Sequence, residues 1–303
     1  MKKIILDTDP GCDDALAIVL AVKSKKLKIA AITTVAGNST VENTTRNARY
    51  ILELLKEKNI PIYSGATKPL KQDLVQAVVH DKSGLTEIRP ENEEQLTNNA
   101  PEKIISLIAD SPQKITLVAI GPLTNIAMAI KKNPQVMLKI KRIIIMGGAL
   151  RVPGNKSRVA EFNFFVDPEA AKIVFDFPVK KILVPLDICN KIRLSVRDFK
   201  QIENKILREK LLKMIIPFSQ NTRKNEGFTG IMMYDVLAVF SLLKPNFIKT
   251  KDYDIKIETK GKLTRGVSVP DLRTEGIKEN NVTVIEQVDK REFRNYFINT
   301  LSK

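Results

Sequence analysis

The stretch KIILDTDPGCDDALAIVL, residues 3–20, decides the fold and poses a chemical question. Its first residues are apolar and β-branched, which predicts a buried strand, and an apolar helical pattern starts at Asp14. Between these two segments lie four carboxylates, on Asp7, Asp9, Asp13 and Asp14. Carboxylates this close disfavour one another's ionisation unless a cation or a hydroxyl-rich ligand offsets their charge. We therefore expect a positive or hydroxyl-rich ligand at this point of the chain.

Similar apolar runs recur along the chain, with helix-like patterns between them. Strands are predicted over residues 3–6, 29–35, 60–63, 115–120, 142–146 and 181–186. Helices are predicted over residues 14–22, 41–58, 101–109, 123–131, 168–175, 196–218 and 233–243, before a β-rich tail over residues 253–288. Strands that alternate with helices indicate an α/β fold with an open, mostly parallel sheet flanked by helices. No linker divides the chain, so residues 1–303 are predicted to form a single domain.

Polar residues or glycines follow each predicted strand. Examples are Asp7 and Asp9 after the first strand, Asn38 after the second and Asp187 after the sixth. Because ligands of open α/β sheets bind outside the carboxyl ends of the strands, we expect the site there. The polar stretch over residues 66–100 has no sustained period. Beside such a site it is a candidate lid, with a solvated connection as the alternative.

The formal net charge of the chain is +16 at pH 7. A basic surface attracts nucleic acids, but lysine and arginine are scattered here and mixed with glutamate and isoleucine. We favour a solvated surface of the kind found in heat-adapted proteins; steep salt dependence of RNA or DNA binding would instead support a nucleic-acid partner. With two cysteines, no targeting segment and no bilayer-length apolar run, the sequence predicts a soluble cytoplasmic protein without a membrane partner.

The residue types in the acidic stretch narrow the chemistry. No cluster of histidine and cysteine accompanies the carboxylates, so oxygen ligands predict a hard cation, Ca²⁺ or Mg²⁺, rather than zinc. Gly11 stands where an aspartyl-phosphate motif of the haloacid dehalogenase type has threonine or valine. Neither a GxxxxGK[ST] loop nor a strand-linked GxGxxG fingerprint occurs, so the sequence gives no support for nucleotide phosphate binding.

Four sequence blocks resemble one known family: LDTDPGCDDALAI from Leu6, VAGN from Val35, VAIGPLTNIA from Val118, and MGGAL with GN and EFNFFVDPEAA from Met146. In order and spacing, which continue to Asp235, they resemble the inosine-uridine preferring nucleoside hydrolase family over most of the chain. The resemblance implies that family's fold and the Ca²⁺-dependent hydrolysis of the N-glycosidic bond of ribonucleosides. It also implies a homodimer or homotetramer.

By this resemblance, Asp9 is the general base on the attacking water and also a metal ligand. Asp14 and Asp235 would be further ligands, and the backbone carbonyl of Ile120 would supply another oxygen. The residues that match the family's ribose contacts are Asp13, Asn38, Asn155, Glu161 and Asn163. Such carboxylates and amides can bind the ribose hydroxyls and stabilise an oxocarbenium-like sugar as the base leaves. Taken singly, each residue would more simply be a helix cap, a turn residue or a solvated acid.

The sequence departs from the family pattern directly before the last calcium ligand. Many members carry a histidine there that is thought to protonate the leaving base, and purine-specific members carry a tryptophan, whereas this chain has Tyr234. A phenol ordinarily has a pKa of about 10, which makes it a poorer proton donor at neutral pH. His80 lies in HDKSGL, which resembles the family's HGxxGL loop with Asp81 in place of glycine. Tyr234 and His80 are therefore the catalytic candidates beside Asp9.

These departures leave the preferred base open. The aromatic ring of Tyr234 favours purine nucleosides, while His80 keeps a pyrimidine-preferring or broad-specificity hydrolase as the alternative. A nucleoside-binding protein with weak turnover is the rival from another class. The intact Asp9, Asp14 and Asp235 argue against it, because a protein that only binds needs no base to activate water.

Overall fold

The computed structural model of the chain describes residues 1–77, 83–85, 96–226, 230–273 and 279–303. The strands are β1 Lys2–Thr8, β2 Leu27–Thr34, β3 Ile62–Ser64, β4 Ile115–Ala119, β5 Arg142–Met146, β6 Lys181–Val184, β7 Arg193–Leu194, β8 Ile231–Met232, β9 Ile248–Tyr253, β10 Ile255–Ile257, β11 Ser268–Pro270 and β12 Val282–Val288. The helices are α1 Cys12–Lys23, α2 Val41–Leu54, α3 Ala100–Asp110, α4 Thr124–Lys132, α5 Pro134–Met137, α6 Phe162–Val166, α7 Pro168–Asp176, α8 Leu186–Cys189, α9 Val196–Phe199, α10 Lys205–Glu226, α11 Tyr234–Leu243 and α12 Lys290–Leu301. Within the described residues, no helix is both long and apolar enough to span a bilayer.

An eight-stranded sheet lies at the centre of the fold, in the order β3-β2-β1-β4-β5-β6-β12-β9. Neighbouring strands are parallel except for β12 and β9, which pair antiparallel at one edge. Two short antiparallel pairs, β10 with β11 and β7 with β8, lie outside it. The predicted open, mostly parallel sheet flanked by helices is confirmed.

The side chains of β1 alternate between two apolar cores. Ile4 and Leu6 pack in a core with residues of α1, α11 and α12, whereas Ile5 packs in a core with residues of α3, α4 and α7. Both faces of the sheet are therefore covered by helices. This explains why the parallel strands read in the sequence as continuous apolar runs.

The order of the strands reverses at β1. The chain passes from β1 to β2 and β3 on one side and later returns to β4 on the other side. Such a reversal opens a crevice at the carboxyl ends of the two strands that flank it. Asp7 is the second-last residue of β1, and Ile120 directly follows β4. The topology thus brings predicted site residues to one crevice.

The predicted helices over residues 41–58 and 196–218 differ from the observed ones. The first ends at Leu54, and the second is divided into α9 and α10. The Asn204 side chain accepts the Leu207 N–H at 3.1 Å and so starts α10 as a separate helix. The short α9 before it begins with a capping box of Ser195 and Asp198. Helix α12 was not predicted, although Asp289 accepts the N–H of Glu292 as its N-cap.

Candidate active site

Asp9 directly follows β1 and lies between Gly37, in the loop after β2, and Gly121, in the loop after β4. Its Oδ2 accepts the Asn38 backbone N–H at 2.7 Å, and the Asn38 side-chain amide donates to the Asp9 carbonyl at 3.1 Å. A Cβ atom at Gly37 would lie 2.1 Å from Oδ2, and one at Gly121 would lie 2.7 Å from Oδ1. Asp9 is buried, and its Oδ1 has no hydrogen-bond partner among the described residues. The protein therefore fixes one oxygen and leaves the other available to a ligand.

The carboxylate of Asp14 accepts hydrogen bonds on both oxygens. Oδ1 accepts the Thr8 hydroxyl at 2.5 Å and the Asp9 N–H at 3.3 Å. Oδ2 accepts the Gly11 N–H and the Asn38 side-chain amide, each at 3.0 Å. Asp14 is the third residue of α1, where the helix dipole favours a negative charge. These contacts orient the side chain of Asp14 beside Asp9.

Helix α11 packs against α1. It thereby brings Asp235, which lies in the first turn of α11, to the segment over residues 9–14, called the acidic loop below. Carboxylate oxygens of Asp13, Asp14 and Asp235 all lie within 4.8 Å of one another, and all three residues are buried. Burial raises the pKa of Asp235 well above its usual value, and the charges of Asp13, Asp14 and Asp9 raise it further. Burial likewise raises the pKa of Asp9 well above its usual value and that of Asp13 to about 6. Several carboxyl groups are thus gathered at a buried site where their ionised forms are disfavoured without a compensating positive charge.

This donor set fits a hard divalent cation. Buried, mutually repelling carboxylates remain ionised only when a positive charge lies among them. The grouped side chains offer oxygen alone, and Asp9 Oδ1 adds an acceptor without a partner in the described part of the chain. The Ile120 carbonyl accepts the Asn163 side-chain amide at 3.0 Å and keeps a second lone pair. Oxygen ligands of these kinds suit Ca²⁺ or Mg²⁺.

Glu161 and Asn163 connect the ends of β4 and β5 with α6. Glu161 is the N-cap of α6: its Oε1 accepts the Asn163 N–H at 2.9 Å, and its Oε2 accepts the N–H groups of Gly148 and Phe164 at 3.0 and 3.2 Å. The Asn163 amide donates to the carbonyls of Ile120 and Met146 at 3.0 and 3.2 Å. Burial raises the pKa of Glu161 to about 7, and the charge of Asp13 contributes. Both predicted ribose contacts therefore border the acidic cluster.

Three other predicted site residues are placed differently. Asn155 lies on an exposed loop, where its Oδ1 accepts the Phe162 N–H at 2.9 Å. It is not part of the buried cluster, so its contact with ribose stays a prediction. Tyr234 is half-buried and begins α11 next to Asp235. His80 lies outside the described residues.

Asn125 and Asn47 support the site and were not singled out in the sequence. The Asn125 amide donates to Asp7 Oδ1 at 2.9 Å and to the Thr34 carbonyl at 3.0 Å, and its oxygen accepts the Ala66 N–H at 2.9 Å. Burial raises the pKa of Asp7 to about 7 although Asn125 and Thr33 donate to it. The signal for Asn125 was its place in the block VAIGPLTNIA, directly after the fourth strand.

Asn47 joins part of the predicted lid to the acidic loop. Its amide donates to the carbonyls of Pro10 and Ser83 at 2.9 and 2.8 Å. Leu85, two residues further on, is fully buried in the core. Residues 83–85 of the 66–100 stretch are therefore anchored, while residues 78–82 and 86–95 lie outside the described part of the chain. No local sequence pattern distinguishes Asn47 from an ordinary polar residue of helix α2.

Comparison with known proteins agrees with this geometry. A pyrimidine-specific ribonucleoside hydrolase, RihA, of Salmonella arizonae is 41% identical over 298 residues, which cover 96% of this chain and 95% of that protein. RihA of Escherichia coli is 40% identical with the same coverage. A solved plant nucleoside hydrolase, PpNRh1, matches with a TM-score of 0.92 and 28% identity over 99% of both chains. A purine-preferring ribonucleoside hydrolase of Gardnerella vaginalis matches with a TM-score of 0.90 and 27% identity, over 99% of this chain and 98% of that chain.

The fold, the carboxylate site and these relatives together define a nucleoside hydrolase, an enzyme of the glycosidase class. The chain belongs to the inosine-uridine preferring nucleoside hydrolase family, which it matches over residues 4–295. The resemblance of the four sequence blocks is thereby confirmed. So is the expectation that the protein is an enzyme.

Proposed function

We propose that this enzyme hydrolyses the N-glycosidic bond of ribonucleosides with the help of Ca²⁺, and that it prefers pyrimidine nucleosides. The observation that carries the proposal is the convergence of the buried Asp13, Asp14 and Asp235 beside Asp9, whose Oδ1 has no partner among the described residues. Asp9, Asp14, Asp235 and the Ile120 carbonyl would hold the ion. When bound, Ca²⁺ supplies a positive charge that lowers the pKa of a water molecule and orients ribose hydroxyls.

Asp9 is the general base in this proposal. The Asn38 N–H holds Asp9 Oδ2 at 2.7 Å, so Oδ1 is the oxygen that can accept a proton from the attacking water. Gly37 and Gly121 let the backbone approach both oxygens closely. The carboxylate therefore has little room to rotate away, and its orientation is set before a substrate binds.

The ribose would be bound by Asp13, Asn38, Glu161 and Asn163, with Asn155 reaching it from the exposed loop. The proposed sugar contacts carry negative charge or amide oxygens, and the sugar gains positive charge as the bond to the base breaks. Because this charge develops only on the way to the transition state, the contacts stabilise the transition state more than the ground state. The buried acidic cluster thus favours bond cleavage rather than mere retention of the nucleoside.

The preference for pyrimidines replaces the purine preference suggested by Tyr234 alone. The comparisons do not confirm a purine preference, and the curated relatives at about 40% identity are named pyrimidine-specific. The purine-preferring match is more distant, at 27% identity. Tyr234 and His80 remain the candidates for protonating or contacting the leaving base. A cytoplasmic location and a homodimer or homotetramer also remain predictions.

Ribose release from inosine, adenosine, guanosine, uridine and cytidine tests the proposal, with and without removal of Ca²⁺ by a chelator. We expect Ca²⁺-dependent release, fastest from uridine or cytidine. Asp9→Asn should lose turnover but still bind ribose, whereas the matched variant Asp110→Asn, at an exposed end of α3, should keep full activity. Faster release from purines would overturn the base preference, and release that survives metal removal would overturn the role of Ca²⁺. No release from any of the five would overturn the proposed activity.

A further inference from the structure

Asp187 is an acidic residue at the carboxyl end of β6 that the proposed reaction does not use. It lies in α8 and is half-buried. Its Oδ2 accepts the Leu150 N–H and its Oδ1 accepts the Arg151 N–H, each at 2.9 Å. A carboxylate that accepts two successive backbone N–H groups holds that backbone by two charge-assisted hydrogen bonds.

The backbone that Asp187 holds belongs to the turn over residues 147–151, which follows β5. The N–H of Leu186 donates to the Gly148 carbonyl at 2.9 Å. The Ser268 hydroxyl accepts the Ala149 N–H and donates to the Ala149 carbonyl, both at 3.0 Å. The outer side of the turn is therefore attached to α8 and to β11.

The inner side of the same turn reaches the site. The Gly148 N–H donates to Glu161 Oε2 at 3.0 Å, and Glu161 is one of the proposed ribose contacts. Among the described residues, the other two donors to this carboxylate are the N–H groups of Asn163 and Phe164, which belong to α6 itself. Gly148 has a φ of +76°, and a Cβ atom there would lie 3.0 Å from the Phe164 ring. The turn therefore has little freedom to change shape. Its position relative to α6 sets the hydrogen bond from the Gly148 N–H to the Glu161 carboxylate.

We infer that Asp187 is a positioning residue for Glu161. It holds the turn over residues 147–151 so that the Gly148 N–H fixes the Glu161 carboxylate in the orientation that binds ribose. The inference rests on the proposed function, because it takes Glu161 as a ribose contact. Asp187 itself need not touch the substrate for this role.

The test combines steady-state kinetics with hydrogen exchange of the Gly148 amide. Asp187→Asn keeps the shape of the side chain but sets an amide N–H group against one of the two backbone N–H groups. We expect kcat/KM for uridine to fall about 10- to 100-fold, with a higher KM because ribose is bound less well and a lower kcat because Glu161 also stabilises the charge of the transition state. We also expect faster exchange of the Gly148 amide. Asp289→Asn, at the exposed N-cap of α12, is the matched control and should change neither quantity.

A double-mutant cycle with Glu161→Gln separates positioning from general loss of structure. If Asp187 acts through Glu161, adding Asp187→Asn to Glu161→Gln should lower kcat/KM no further than about twofold. The inference would be overturned if the fold-loss in kcat/KM of the double variant equalled the product of the two single fold-losses. It would also be overturned if the Gly148 exchange rate were unchanged in Asp187→Asn. If the wild-type enzyme released no ribose, the proposed function would fail separately, and the exchange rates would still decide whether Asp187 orders the turn.

Discussion

The backbone of Gly37 lies directly against the Asp9 carboxylate, and Gly37→Ala is a sharp way to disturb that carboxylate. A Cβ atom at Gly37 would lie 2.1 Å from Asp9 Oδ2 and 2.9 Å from Pro122 Cδ. Ordinary van der Waals contact needs well over 3 Å, so the Asp9 carboxylate would have to move by about 1 Å. Movement on that scale also breaks the 2.7 Å hydrogen bond from the Asn38 N–H.

The expected loss of activity follows from this displacement. A misplacement of about 1 Å in a reacting group costs about 100-fold in rate. Loss of a buried hydrogen bond to a charged group costs a further 1.5–3 kcal/mol of stability, roughly. We therefore expect Gly37→Ala to lower kcat/KM for uridine about 100-fold while the protein remains folded. The assay is ribose release, with circular dichroism to confirm the fold.

Gly261→Ala provides a matched control. There a Cβ atom would also lie 2.1 Å from a side-chain oxygen, Thr264 Oγ1, but in a surface loop far along the chain. The end of an exposed threonine can rotate, so this variant should have wild-type kinetics. If Gly37→Ala kept kcat/KM within about threefold of wild type, the assignment of Asp9 as a tightly positioned base would be wrong.

Three further predictions concern the neighbours of Asp9. Tyr234→Phe should retain most activity on uridine, because a phenol is a weak acid near neutral pH; a loss for uridine that a p-nitrophenyl riboside does not suffer would identify the hydroxyl as the proton donor. Burial raises the pKa of Glu161 from 4.5 to about 7. The folded, calcium-free protein then binds more protons than the unfolded chain across that window, so its free energy of unfolding should fall as pH rises, by up to about 3 kcal/mol from this group. Scanning calorimetry of wild type and Glu161→Gln checks this, and an equal slope in both would contradict it. Asn125→Ala should destabilise the protein by about 3 kcal/mol in urea titrations, because Asp7 keeps, among the described residues, only the Thr33 hydroxyl as a donor while the Ala66 N–H and the Thr34 carbonyl lose their bonds to Asn125; a loss below about 1 kcal/mol would contradict that network.

The inner strands of the central sheet, such as β4 and β5, were predictable because they are buried on both faces. The predicted strand over residues 142–146 coincides with β5, and the one over residues 181–186 overshoots β6 by two residues. Continuous apolar runs bounded by glycine or polar residues mark such strands without help from distant contacts. Helix α12 was missed although Asp289 and Glu292 carry a capping signal. The predicted β-rich tail ended at residue 288, and no element was assigned to the residues after it.

The acidic cluster of Asp9, Asp13, Asp14 and Asp235 was predictable only in part. Asp9, Asp13 and Asp14 lie close together in sequence, so their repulsion alone indicated a ligand. Asp235 comes to them because α11 packs against α1, a contact between segments more than 200 residues apart. No local pattern encodes such a contact. The resemblance to a family was needed to name it.

The supporting contacts were the least predictable part of the site. Asn125 and Asp187 reach their partners across 118 and 37 residues of sequence. Asn125 uses its side-chain amide and Asp187 its carboxylate, and the partners of Asp187 are backbone N–H groups that almost any residue could offer. Their importance follows from what they hold in place rather than from their own chemistry. Position at the carboxyl end of a strand was the one signal they gave.

Burial of like charges sets the folding cost of this site. Burial raises the pKa of Asp9, Asp13 and Asp235, and neighbouring carboxylates raise those of Asp9 and Asp235 further, so the fold without a cation disfavours their ionised forms. A protonated Asp9 cannot accept a proton from water, and a protonated Asp235 is a weaker ligand. A bound cation reverses both preferences at once, because it binds the ionised carboxylates of the folded state and not the dispersed ones of the unfolded chain. Under the proposed function, ionisation of Asp9, binding of the metal and stability of the fold would therefore be linked, so that the acidic cluster lowers the stability of the metal-free protein and favours an ionised Asp9 once a cation is bound.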